Sequence, residues 1–259
     1  MLLALAGYLG VYVARWRTSR RDGGARAASG WRLAAWCGGV LVLFVALISP
    51  VDRIGEQLAS MHMVQHLLIA DVAGILLTLG LTRHILRPAT RRIHRIERAA
   101  GPFASPWFGV VAYVGAMWLW HVPALYDAAL EHSFVHTLEH LSFGAAGLLY
   151  WWHLLSPIRS RLRLGGMGPI AYMASTKLLV GLLGILLAFA PELIYDSYDH
   201  AGTLWGMTAE NDQRVAGLIM ALEQSIVMGV ALAWLFVRML GESEEDERRE
   251  ERFGSPTGL

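Results

Sequence analysis

One cysteine, Cys37, stands in the whole chain, which excludes an internal disulfide and any Cys-x-x-Cys metal motif. Lysine is equally scarce: the basic residues are 21 arginines and Lys177. Charge of either sign is thin, 17% of the residues, where a soluble domain carries roughly 25%. The formal net charge of +1 offers no basic face for nucleic acid. Alternating polar and apolar residues, the mark of half-buried strands, are also missing.

What the chain has is apolar residues in long blocks, 55% of the 259 residues, with ten tryptophans among them. A helix crossing a bilayer needs about 20 apolar residues. Blocks near 2–14, 31–49, 61–81, 107–123, 134–155, 170–190 and 215–240 predict an all-α polytopic membrane protein, a bundle of seven transmembrane helices. The first block is short for a span. A secretory signal would carry its positive charges before the apolar stretch, whereas Arg15, Arg17, Arg20 and Arg21 follow it.

Loop charge sets the expected orientation. The segments after the first, third and fifth blocks hold fifteen arginines, and the other loops hold only Arg53 and Arg214. By the positive-inside rule the N-terminus lies outside and the C-terminus in the cytoplasm. Residues 1–240 then form one transmembrane domain. The tail 241–259, "GESEEDERREERFGSPTGL", mixes both charge signs without an apolar face and reads as a disordered cytoplasmic extension.

Histidines sort to one side of this topology. His84 and His94 fall in the basic loop, His153 near the inner end of the fifth helix, and His132 and His200 in outer loops. The other five, His62, His66, His121, His136 and His140, lie near the outer ends of three helices. At 1.5 Å per residue all five fall within roughly 10 Å of one membrane face. His62/His66 and His136/His140 are i, i+4 pairs, so each pair shares a helix face. Met117 precedes His121 by four residues, and Met61 and Met63 flank His62. Imidazole with thioether suits copper, Cu(I) above all. Glu139, adjacent to His140, is placed to orient a ligand imidazole as its hydrogen-bond acceptor.

"HTLEH" also fits H-x-x-E-H, in which two histidines hold zinc and the glutamate activates water. That motif is short and has no companion here. Asp71, Lys177 and Glu223 are the remaining charges at membrane depth. Asp71 lies nine residues after His62, on roughly the opposite helix face. It is expected to pair with Lys177 as a structural clamp.

"SMHMVQHLL", "WLWHVPALYDAAL", "VHTLEHLSFGAAGLLYWWHLLSP" and "NDQRVAGLIM" occur in this order. Over roughly residues 30–240 the chain resembles the CtaG family of bacterial cytochrome c oxidase assembly factors. The resemblance implies a multi-pass protein of the bacterial plasma membrane that binds copper and helps deliver it to a haem-copper oxidase. It implies a binding protein and not an enzyme, with an oxidase subunit or another copper chaperone as partner. It implies His62, His66, His121, His136 and His140 as candidate copper ligands, and it sets Asp212 and Gln213 in a family motif before the last helix. Two stretches depart from the family pattern, "DVAGILLTLG" with Asp71 and "ALEQSIV" with Glu223. The alternatives are a haem-binding electron carrier with bis-histidine ligation, a membrane zinc protease and a transporter.

Overall fold

Away from water a chain must satisfy its own backbone N–H and C=O groups, and a run of apolar residues does so within a helix. The computed structural model is accordingly helical, with no strand among the described residues. It describes residues 2–158, 162, 164–198 and 204–222, together with 225, 226, 229, 230, 233, 236, 237 and 241. Arg159, Arg161, Arg163, His200, Glu223 and the tail from 242 lie outside the described residues.

The helices are α1 (Leu2–Ala27), α2 (Gly30–Ile48), α3 (Pro50–Gly55), α4 (Ala59–Leu67), α5 (Gly74–Gly80), α6 (Arg83–Leu86), α7 (Thr90–Ala100), α8 (Pro106–Trp120), α9 (Pro123–Glu131), α10 (Ser133–Leu155) and α11 (Gly168–Ala188). A further helix, α12, covers 209–222. A π-helical segment, Leu68–Ala73, joins α4 to α5, so that Ala59–Gly80 runs as one rod.

Three helices among the described residues are long and apolar enough to cross a membrane: Gly30–Ile48, Ala59–Gly80 and Gly168–Ala188. They become four if Thr90–Ala104 and Pro106–Trp120, bent by 66° at their junction, form one span. Helix α10, with 23 residues, is about as long, but His136, Glu139, His140 and His153 dilute its apolar character. Most predicted boundaries fall within two residues of the observed helices. Helix α1 differs, continuing through Arg15, Arg17, Arg20 and Arg21 to a kink at Gly24 (φ 65°), with Arg26 beyond it. Arginine is a good helix former, and Arg20 Nη1 donates to Ala28 O at 2.9 Å, holding that end in place.

The core lies where the Ala59–Gly80 rod passes between α2 and α10, with α8 and α11 beyond. Small residues set the approach. A Cβ on Gly147 of α10 would run into the carbonyl oxygen of Ala70, so the two backbones touch there. Helices α11 and α12 meet in the same way, since a Cβ on Gly217 would strike Gly184 O and Ala188 N.

The π segment corrects the expected Asp71–Lys177 pair. Nine residues of α-helix put Asp71 about half a turn from His62. One residue absorbed in a π-bulge reduces that offset to about 80°. Asp71 therefore turns into the bundle, where Tyr113 Oη donates to Oδ2 at 2.5 Å and Trp151 Nε1 to Oδ1 at 2.9 Å. Lys177 points elsewhere, its Nζ donating to Ser225 Oγ at 3.0 Å on the exposed side.

Candidate metal centre

Helix α4 delivers His62 and His66, and α10 delivers His136, Glu139 and His140, each set on one helix face by its i, i+3 and i+4 spacing. The Gly147–Ala70 contact, two turns below His140, brings the faces together. Ring centroids are 4.2 Å apart for His62 and His66, 4.2 Å for His136 and His140, 5.6 Å for His62 and His136, and 5.7 Å for His66 and His140.

Glu139 is fully buried between the two pairs. Its Oε1 stands 3.5 Å from His62 Nε2 and 3.5 Å from His66 Nε2. Those distances exceed ordinary N–H···O hydrogen bonds. Both ring nitrogens of His62 and of His66, both Glu139 oxygens, and Nε2 of His136 and of His140 have no hydrogen-bond partner. Buried polar atoms left so cost about 1–3 kcal/mol each, and here they are gathered in one place. The ligand atoms of a tetrahedral ion, about 2.1 Å from it, stand about 3.4 Å from one another. The two contacts of Glu139 Oε1 with His62 Nε2 and His66 Nε2 have that spacing.

Three overlapping ligand sets result: His62 with His136 and Glu139, His66 with Glu139 and His140, and Asp52 with His136 and His140, the atoms of each within 4.8 Å of one another. His62 and His66 are buried, while His136, His140 and Asp52 are half-buried. The site thus grades from open to closed. Asp52, on α3, is held by Gln65 Nε2, which donates to its Oδ1 at 2.7 Å and to Ala46 O at 2.8 Å.

Three tyrosines close the buried side. Tyr126 lies 5.1 Å from the His62 ring and stacks on Tyr195 at 3.8 Å. Tyr198 Oη donates to Gly55 O at 2.9 Å and lies 3.4 Å from Tyr126 Oη. Burial pushes the three phenols up from their ordinary values, so they stay neutral hydroxyls.

The Asp-Gln motif supports this assembly. Asp212 accepts from Ala59 N at 2.6 Å, Ser60 N at 3.2 Å and Ser60 Oγ at 2.5 Å. It caps α4, whose own N-cap residue, Leu58, has no side-chain acceptor. Gln213 accepts from Ile194 N at 2.7 Å and donates to Glu192 O at 3.1 Å, holding the segment that carries Tyr195 and Tyr198.

The family model for the cytochrome c oxidase caa3 assembly factor (Caa3_CtaG) matches residues 10–242. The chain belongs to the CtaG family. An uncharacterized Mycobacterium leprae protein, ML1998, is 21% identical over 98% of this chain. The chain spans 41% of the length of that relative. No solved structure matches it.

In this CtaG-family chain, four of the five predicted histidines, with Glu139, form the cluster. His121 stands beside it: Nδ1 lies 2.6 Å from Met117 O and Nε2 lies 3.3 Å from Met63 Sδ. Met63 and Met117 therefore accompany His121, and both also line a cavity with His66. Met61 is half-buried. Sequence reasoning missed Asp52, the tyrosines and the reach of Asp212 back to α4. The sequence signal for Asp52 was its position ten residues before His62.

Proposed function

We propose that the chain is a copper-handling assembly factor for a haem-copper cytochrome c oxidase, binding copper through His62, His66, His136, His140 and Glu139. The observation that carries this reading is the set of eight unpartnered nitrogen and oxygen atoms on five side chains from two helices. Among divalent first-row metals such imidazole-rich sites bind copper most tightly. Family membership supports a role in oxidase assembly.

Seven spans with the N-terminus outside complete the reading, the long helices α1, α10 and α12 joining those that meet the length and hydropathy requirement. The half-buried His136, His140 and Asp52 then face the outer aqueous side, where copper enters and from which it is passed to an oxidase subunit or a second copper chaperone. Glu139 holds the buried imidazoles in register, and the chain binds and releases metal without catalysing a reaction. The bilayer in question is the bacterial plasma membrane.

Metal analysis of the detergent-purified chain tests this. Wild type is expected to hold copper and the His62→Ala/His140→Ala variant to lose the copper bound at the histidine cluster. Equal copper in the two proteins, no copper in either, or a strong Soret band in wild type would overturn the reading.

A further inference from the structure

Beneath the histidine cluster four helices leave a cavity of about 20 Å³. A water-sized occupant needs about 10–15 Å³ measured in this way. The lining includes three methionines from three helices, Met63 of α4, Met117 of α8 and Met220 of α12, together with His66 and Asp71; His121 is not part of the lining and adjoins it through Met63. All three methionines are buried.

Methionine commonly fills irregular gaps in a core, but these three leave a gap open and share it with polar groups. The decisive contact is that of His121 with Met63. A backbone carbonyl only accepts, so His121 Nδ1 donates to Met117 O. In the neutral imidazole, Nε2 then presents its lone pair to Met63 Sδ at 3.3 Å. Two Lewis bases facing each other gain nothing unless an electron-pair acceptor joins them. With bonds of about 2.0 Å to nitrogen and about 2.3 Å to sulfur, two ligands of one ion at an angle of about 100° stand about 3.3 Å apart.

We propose that Met63, Met117, Met220 and His121 Nε2 form a second metal position, distinct from the histidine cluster and specific for a soft monovalent cation, Cu(I). The inference rests on the copper reading above and adds where the ion goes next. Thioether donors favour Cu(I) over the divalent metals that an imidazole and carboxylate set also accepts. Asp71 is the acidic group in the lining, its two oxygens held by Tyr113 and Trp151, and it offsets the charge of a buried cation. His66 belongs to both places: it lines the cavity and groups with Glu139 and His140. An ion passes between them by ligand exchange at His66, with Cu–N bonds to the cluster replaced by Cu–S bonds. Cu(I) keeps its charge and no electron moves.

The test is anaerobic Cu(I) titration of the full chain in detergent, read by copper X-ray absorption. Wild type is expected to bind two Cu(I), with a sulfur shell near 2.3 Å appearing at the second equivalent. Met63→Leu/Met220→Leu, an exchange that conserves volume and packing, is expected to bind one Cu(I) without that shell. His62→Ala/His140→Ala is expected to lose the nitrogen-ligated ion and keep the sulfur-ligated one. The second position is ruled out if the leucine variant keeps the sulfur shell, if wild type shows no sulfur scattering at two equivalents, or if wild type saturates at a single copper. Full loading of the alanine variant with an unchanged nitrogen shell would instead sink the histidine reading alone.

Discussion

Asp212 caps a helix 153 residues away: its Oδ2 accepts the Ala59 backbone N–H at 2.6 Å, and its Oδ1 is bound by Ser60. The helix so capped opens two residues later into His62. One carboxylate of α12 thereby sets the axial position of both α4 histidines. Asp212→Ala leaves two buried N–H groups without partners and is expected to cost about 2–3 kcal/mol. Thermal unfolding in detergent measures the loss, and copper content should fall with it. Asp212→Asn keeps an acceptor and should lie between wild type and alanine.

Glu139 sits 3.5 Å from the Nε2 atoms of both His62 and His66 and donates nothing. Glu139→Gln preserves shape but removes the charge and places two N–H donors among the imidazoles. Copper affinity is expected to fall by at least about 10-fold, because the variant replaces an anionic oxygen donor with a neutral amide. Competition titration against a chelator of known affinity reads this. Unchanged affinity would detach Glu139 from the site.

Asp71 accepts from two donors, Tyr113 and Trp151. Asn offers one acceptor oxygen, so Asp71→Asn leaves one of them unpaired and is expected to cost about 1–3 kcal/mol. Among the described residues Lys177 donates to Ser225 on the exposed side. Lys177→Met should therefore shift stability by no more than about 0.5 kcal/mol. Similar losses from the two variants would restore the buried Asp71–Lys177 pair that the structure does not contain.

Gly147 and Gly144 are one turn apart on α10, and the structure separates them. A Cβ at 147 would meet Ala70 O, whereas one at 144 would lie 3.5 Å from Ile69 Cγ2, an ordinary contact. Gly147→Ala is expected to destabilise by about 1–3 kcal/mol through overpacking and to weaken copper binding by parting α10 from α4. Gly144→Ala should be neutral or mildly stabilising, because alanine favours helix. Thermal midpoints of the two variants decide the matter.

Much of the site was legible because helix period and apolar content act locally. The i, i+4 spacing of His62 with His66 and of His136 with His140 places each pair on one face whatever surrounds it. The charge imbalance of the loops led to the expectation that all five histidines lie near one membrane face, without reference to packing. Asp71 was misread because a π-bulge changes the helical phase, and nothing in "HLLIADVAG" announces it. His121 was grouped with the other histidines because equal depth does not specify azimuth, and azimuth depends on how α8 is turned against α4.

What the sequence by itself determined is helical, membrane-type architecture, family membership and a supply of imidazole near one end of the bundle. Each follows from interactions within one helix or between one helix and its solvent. Tertiary structure alone decided that Asp52 joins the cluster, that Asp212 caps α4, and that Met63, Met117 and Met220 line one cavity. Those relations join residues far apart along the chain, and they arise only when surfaces such as Gly147 and Ala70 meet and fix the rotation of one helix on another.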